Sequence, residues 1–144
     1  MADYEQNGES PAPAPDIEGS KAWCHLMYAL HCVSALGGLL EPATIVGSFL
    51  FGWPSIIAVI INYVKRDAVR GTWLESHFRW QIRTFWFALL WAVLVALVSA
   101  PLALVLIGFG TWVLGMGLLG LWAIYRIGRG WLALNSHQPM PLSV

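Results

Sequence analysis

The sequence predicts an all-α fold: an integral membrane four-helix bundle made of two helical hairpins, with both termini on the cytoplasmic side. Composition is the first sign. Of 144 residues, 58% are hydrophobic and only 11% are charged, against about 25% charged in soluble domains, and mean hydropathy is +0.63. Patterning is the second. All eight Lys and Arg residues lie outside two apolar blocks, Ala22–Val64 and Thr84–Tyr125. One helical crossing takes roughly 20 residues, so each block is about two crossings long and should go across and return. Every cation then falls on one membrane face, as the positive-inside rule requires. Among the charged residues only Glu41 would face outward.

The elements follow in order. Residues 1–21 carry Asp3, Glu5, Glu9, Asp16 and Glu18, a Pro11-Ala12-Pro13-Ala14-Pro15 run and no apolar stretch. Such a tail cannot bury enough surface to offset its ordering entropy and is expected to be disordered. Acids ahead of the first apolar segment argue against a cleavable signal peptide and for an uncleaved anchor. A four-helix domain is expected over 22–134. Helix 1 is placed at about 22–40 and helix 2 at about 43–64, with Glu41-Pro42 as the turn and Pro42 suited to opening a helix. Gly52-Trp53-Pro54 is a competing break, either a kink in helix 2 or the return turn itself. Helix 3 is placed at about 73–100 and helix 4 at about 102–128. Their turn falls around Ser99-Ala100-Pro101 or around Gly108-Phe109-Gly110, and the proline gives helix 4 an ordinary length. Residues 135–144 read as a flexible tail.

Between the blocks, Gly71 stops one helix and Thr72-x-x-Glu75 reads as a capping box. Glu75, Arg79 and Arg83 recur every four residues on the new helix, with Glu75 ahead of Arg79 in the favourable order. The bases Lys65, Arg66, Arg70, Arg79 and Arg83 could bind anionic lipid headgroups, or serve only to set topology. Glu41, Asn62 and His77 are candidates because a polar group in a membrane segment is a functional hypothesis by default. Asn62, within a turn of Lys65, is expected to reach the interface, and Glu41 has the plain alternative of a turn residue.

Thr84, Ala88, Ala92, Ala96 and Ala100 form a small-residue stripe at four-residue spacing, which lets helix backbones approach closely. Packing inside the bundle is its expected use, with an oligomer interface as the alternative. Gly110, Gly117, Gly120 and Gly128 suggest the partner face on helix 4. Trp23, Tyr63, Trp73, Trp80, Trp86, Trp122, Tyr125 and Trp131 fall near the cytoplasmic boundary, where aromatic rings suit the headgroup layer. Cys24 and Cys32 are about 12 Å apart along a helix, too far to bridge. His25 and Cys32 share a face but stand about 10 Å apart, so one ion cannot use both. A haem would need a second histidine from another subunit. No nucleotide loop, nucleophile elbow, metal-spaced cluster or paired acid is present. No catalytic, metal or cofactor residue is assigned, and no enzyme is expected.

The stretch from Ile60 to Trp86, containing Asn62-Tyr-Val-Lys-Arg-Asp-Ala-Val-Arg-Gly-Thr-Trp-Leu-Glu-Ser-His-Phe-Arg-Trp-Gln-Ile-Arg83, and the ending Tyr125-Arg-Ile-Gly-Arg-Gly-Trp-Leu-Ala-Leu-Asn135 carry a resemblance. Both are similar to a family of small bacterial inner-membrane proteins of unknown function, distantly similar to the Tic-type import components of chloroplasts. The likeness covers about residues 22–141. It implies a four-helix inner-membrane protein, and it matches the family's His and Gln at the start of helix 3 to His77 and Gln81. It implies no activity. Asn62, Lys65, Arg66, Glu75, His77, Arg79, Gln81 and Arg83 are therefore the candidate functional residues, and Ala88, Ala92, Ala96 and Ala100 the packing residues.

The leading expectation is a non-enzymatic assembly or accessory protein of the inner membrane, acting by helix packing in a homo-oligomer or a partner membrane complex. Its other expected contacts are anionic lipids; nucleic acid is not among them. The first alternative is a channel or transporter subunit, which needs an oligomer because four helices with almost no buried charge cannot line an aqueous path. The second is a haem or redox protein using His25 or His31.

Overall fold

The first helix starts on a cap. Asp16 Oδ1 accepts the Gly19 N–H at 2.9 Å, and Ser20 N–H donates to the Asp16 carbonyl at 3.1 Å, which satisfies amides that a helix start leaves bare. A computed structural model describes residues 14, 16–40, 45–102 and 107–141, without the side chains of 45–51 and 107. Helix α1 spans Ile17–Leu40, α2 Ile45–Lys65, α3 Leu74–Leu102 and α4 Ile107–Asn135, with a single 3-10 turn over Arg66–Val69 before α3. The Asp16 cap draws the start of α1 back from the expected Ala22, so the acidic segment supplies the first turn.

Helix α2 runs through Gly52-Trp53-Pro54, which is therefore no return turn. Pro54 lacks an N–H, so the Leu50 carbonyl loses its helical donor. Glu41 and Pro42 lie outside the described residues. Pro101 sits inside the last turn of α3, and Gly108 and Gly110 sit inside the first turn of α4. Neither expected turn in the second block is the return, which falls at 103–106, outside the described residues.

The stop before α3 works differently from a full capping box. Gly71 adopts φ +77°, a left-handed conformation that glycine takes without a Cβ clash. Glu75 Oε2 accepts the Gly71 N–H at 2.9 Å. Thr72 instead turns its hydroxyl back, donating to the Val69 carbonyl at 2.7 Å. Glu75 also pairs with Arg79 at 2.7 Å, the expected i,i+4 bridge.

The tail after α4 is docked. His137 N–H donates to the Leu134 carbonyl and Gln138 N–H to the Ala133 carbonyl, at 3.1 and 3.0 Å. That pattern is a Schellman cap, with His137 at φ 54° in the position glycine usually takes. Lys21 Nζ donates to His137 Nε2 at 2.7 Å, the Met140 N–H donates to Ser76 Oγ at 2.9 Å, and the Met140 side chain is buried. These contacts correct the expectation of a loose tail over 135–144 as far as residue 141.

Helices α1 and α2 form one closely packed pair, α3 and α4 the other, and α1 joins the pairs by packing on α4. Links of four residues can only reverse the chain, so each pair is a hairpin. Lys65 lies over the Trp23 ring, Lys21 reaches His137, and Trp131 Nε1 donates to His25 Nδ1. The start of α1, the end of α2, the start of α3 and the end of α4 therefore meet at one end of the bundle, and every Lys and Arg of the chain lies towards it. Three helices, Ile17–Leu40, Leu74–Leu102 and Gly108–Asn135, are long and apolar enough to cross a membrane. Leu94, Leu97, Val98, Leu114, Leu118 and Leu121 leave an apolar outer surface on α3 and α4.

The glycines that admit close contacts are only partly those expected. A Cβ at Gly115 would stand 2.8 Å from Val95, one at Gly120 3.3 Å from Leu39, and one at Gly130 2.7 Å from the Tyr28 ring. At Gly110, Gly117 and Gly128 it would meet nothing within 4 Å. The close face of α4 is thus Gly115, Gly120 and Gly130, with Gly120 alone shared with the expected set.

Candidate functional site: a polar cluster and an apolar cavity

The charged end of the bundle encloses a cluster of uncharged polar side chains. His77, on the first turn of α3, is fully buried. Its Nε2 lies 2.8 Å from the Gln138 carbonyl, and its Nδ1 lies 3.1 Å from the Tyr28 hydroxyl. A carbonyl can only accept, so in the neutral ring Nε2 carries the hydrogen and the Tyr28 O–H donates to Nδ1. Tyr28 and Trp73 each meet the imidazole edge-on, with ring centroids 6.2 and 5.6 Å away. One turn further along α3, Gln81 Nε2 donates to Cys24 Sγ at 3.3 Å, while its Oε1 accepts from Asn62 Nδ2 at 3.4 Å. Asn62 Nδ2 also donates to the Phe78 carbonyl at 3.1 Å, and its Oδ1 has no partner among the described residues. The cluster thus links α1, α2, α3 and the docked tail.

Asn62 is fully buried, which corrects the expectation that it reaches the interface: its amide bonds hold α2 to α3. His77 and Gln81 join it in the cluster. The charged candidates do not. Lys65, Arg66 and Arg79 are exposed, with Arg66 beside Asp67 at 3.9 Å and Arg79 on Glu75. Arg83 is half-buried. Expected membrane-boundary aromatics divide similarly. Trp23, Tyr63, Trp86 and Tyr125 are exposed, and the Trp86 indole N–H donates to the Tyr63 hydroxyl at 3.1 Å. Trp80 is buried, with the Arg126 guanidinium carbon 3.8 Å from its ring centre.

Beyond the cluster, the four helices surround an apolar cavity of about 390 Å³, within the usual range for small-ligand pockets. His31, Gly38, Gly52, Thr84, Ala92 and Gly120 are among its walls. The cavity exists because small residues face it from every helix: a Cβ at Gly38 or Gly52 would meet nothing within 4 Å. Ala88 and Ala92 line it, Ala96 is half-buried and Ala100 is exposed. His31 Nδ1 is 3.0 Å from Ser55 Oγ, and its buried Nε2 has no partner among the described residues. His25 is taken by Trp131. Among the described residues no three His, Cys, Asp or Glu side chains are grouped to hold a metal ion.

Sequence reasoning passed over Tyr28, Gln138 and Arg126 as members of a site. One signal was available. His77, Gln81, Thr84, Ala88 and Ala92 fall at spacings of four, three, four and four, the period of one helix face. That face is polar beside the cluster and small beside the cavity. Tyr28 and Gln138 carry no such signal, because their partners lie far away in sequence. No family model, curated protein or solved structure matches the chain.

Proposed function

We propose that this chain is a multi-pass protein of the bacterial inner membrane, crossing four times with its charged end in the cytoplasm, and that it acts as a non-catalytic accessory or assembly component through helix packing. The observation that carries the reading is the division of the bundle along its length. One end holds every cation and the buried polar cluster; the remainder shows an apolar surface to its surroundings. A soluble bundle would turn those leucines inward, whereas in a bilayer they meet a solvent as apolar as themselves. Helix α2, with 21 residues and one charge, Lys65, at its end, is long enough to be the fourth crossing. The resemblance of the Ile60–Trp86 stretch to small inner-membrane proteins supports the same location. Lys65, Arg66 and Arg70, exposed on the loop before α3, would face the anionic headgroups of the inner leaflet.

Labelling of single cysteines in a Cys24→Ser/Cys32→Ser background tests the orientation. A membrane-impermeant maleimide is expected to label Glu41→Cys in intact spheroplasts, and Asp67→Cys and Ser136→Cys only after permeabilisation. Labelling of Asp67→Cys in intact cells would refute it. Packing as the mode of action is tested by cross-linking in native membranes: Ala96→Leu/Ala100→Leu should abolish cross-linked species. A chain that remains a monomer at native abundance removes the oligomeric form of the proposal.

A further inference from the structure

Arg126 stands inside the bundle in an unusual fixture. Its Nε donates to Thr84 Oγ1 at 2.6 Å, and the Thr84 hydroxyl donates onward to the Trp80 carbonyl at 2.8 Å. The Trp80 indole N–H donates back to the Arg126 carbonyl at 3.3 Å. This closed circuit holds the guanidinium on the Trp80 ring, at 3.8 Å, with Trp122 at 5.5 Å. A second guanidinium, that of Arg129, lies 5.9 Å from the same ring, and Arg83 and Arg129 are near enough to act on Arg126 by charge repulsion. Among the described residues the ion pairs are Arg66 and Arg70 with Asp67 and Arg79 with Glu75. Neither Arg126 nor Arg129 has a carboxylate, and Arg126 Nη2 is buried with no acceptor. Gathering like charges and leaving a buried donor unmatched is costly, and an anion would relieve both.

The position of this fixture identifies the kind of anion. Helix α3 has 29 residues and is about 43 Å long, against a hydrocarbon core of about 30 Å. With its apolar end at the far boundary, about 13 Å extends beyond the near one. Arg83 lies about 14 Å from Leu74 along the helix, and the Thr84 bond puts Arg126 at the same height. Both then sit where the hydrocarbon gives way to lipid phosphates. Thr84 also lines the apolar cavity, as does Ile127 beside Arg126, so the cavity comes within one hydrogen bond of the guanidinium.

We propose that Arg126, with Arg83 and Arg129, holds the phosphate of an anionic lipid whose hydrocarbon chain occupies the cavity between the four helices. Arginine suits the headgroup because its planar fork binds phosphate while stacked on an aromatic face. The site rests on the bilayer placement above, and it is separate from the exposed bases of the loop. A requirement for detergent in extracting the chain from membranes tests the placement by itself.

Native mass spectrometry of the delipidated full chain in uncharged detergent tests the site, with phosphatidylglycerol and phosphatidylcholine of identical chains added in turn. Retention of the anionic lipid is expected to exceed that of the neutral one by at least about fivefold, the equivalent of about 1 kcal/mol for one basic residue at an anionic surface. Arg126→Gln should remove the preference, and Arg70→Gln should leave it. Gly38→Leu, which fills open cavity, should lower retention of both lipids. Excess inorganic phosphate should not displace the bound lipid. Equal retention of the two lipids, or an unchanged preference in Arg126→Gln, overturns the proposal. Displacement by inorganic phosphate together with normal retention in Gly38→Leu reduces the fixture to a free-anion site and overturns it equally. Should Arg126→Gln fail to give a monodisperse sample, Arg129→Gln carries the same expectation.

Discussion

The polar cluster makes its sharpest prediction through the Tyr28–His77 bond. Tyr28→Phe removes the hydroxyl that donates to Nδ1 of a fully buried imidazole. An orphaned buried acceptor costs about 1–3 kcal/mol, so a loss near 2 kcal/mol is expected. His77→Phe keeps the aromatic volume but deprives both the Tyr28 hydroxyl and the Gln138 carbonyl. Gln138 is exposed and can turn to water, and Gln81 stands within reach of the same hydroxyl, so this loss should be smaller, about 1–2 kcal/mol. In the double variant neither orphan remains. Its destabilisation should fall short of the sum by about 1 kcal/mol, within the range measured for contacting residues and above the roughly 0.6 kcal/mol average of interhelical bonds in membranes. Reversible unfolding in mixed micelles reads this out through tryptophan fluorescence, with Trp73 touching the imidazole as the local reporter. Additivity within about 0.3 kcal/mol would show that the two side chains do not interact and would refute the cluster as described.

Three further outcomes follow from the packing. Gly130→Ala places a methyl against the Tyr28 ring and should cost about 1–3 kcal/mol by overpacking, while Gly128→Ala, which meets nothing within 4 Å, should be neutral or slightly stabilising in the same unfolding assay. Asp16→Ala should cost about 0.5–2 kcal/mol as a lost N-cap and speed amide exchange over residues 17–20, and unchanged exchange there would remove the cap. Truncation after Ser136 removes the buried Met140 and the Gln138 acceptor and should lower stability by about 2–4 kcal/mol, measured by unfolding of the shortened chain.

The fold class was legible because charge and length act as simple constraints in a bilayer: cations mark the ends and apolar runs mark the crossings. The inward faces were harder to read. In a lipid environment both faces of a helix are apolar, so hydropathy does not separate Ala92, which lines the cavity, from Leu94, which lies on the outer surface. Only polar residues break that degeneracy, and His77, Gln81 and Thr84 do so on α3. Asn62 was misjudged because nearness to Lys65 in sequence was taken as nearness to water. On a helix, three residues is most of a turn and can point to the opposite environment. The docked tail was illegible for another reason. A histidine in the left-handed position replaced the glycine that would have announced the cap, and the tail's partners Ser76 and His77 lie about sixty residues earlier.

The Gln138 carbonyl that receives the His77 N–H has a consequence for biogenesis. Crossings can enter the bilayer one after another as they are synthesised, but His77 keeps an unmatched donor until residue 138 has left the ribosome. The interior of the charged end therefore closes last, after every crossing is in place. A ribosome stalled before that codon would hold a fully inserted chain whose Asn62, His77 and Gln81 are still open to other proteins.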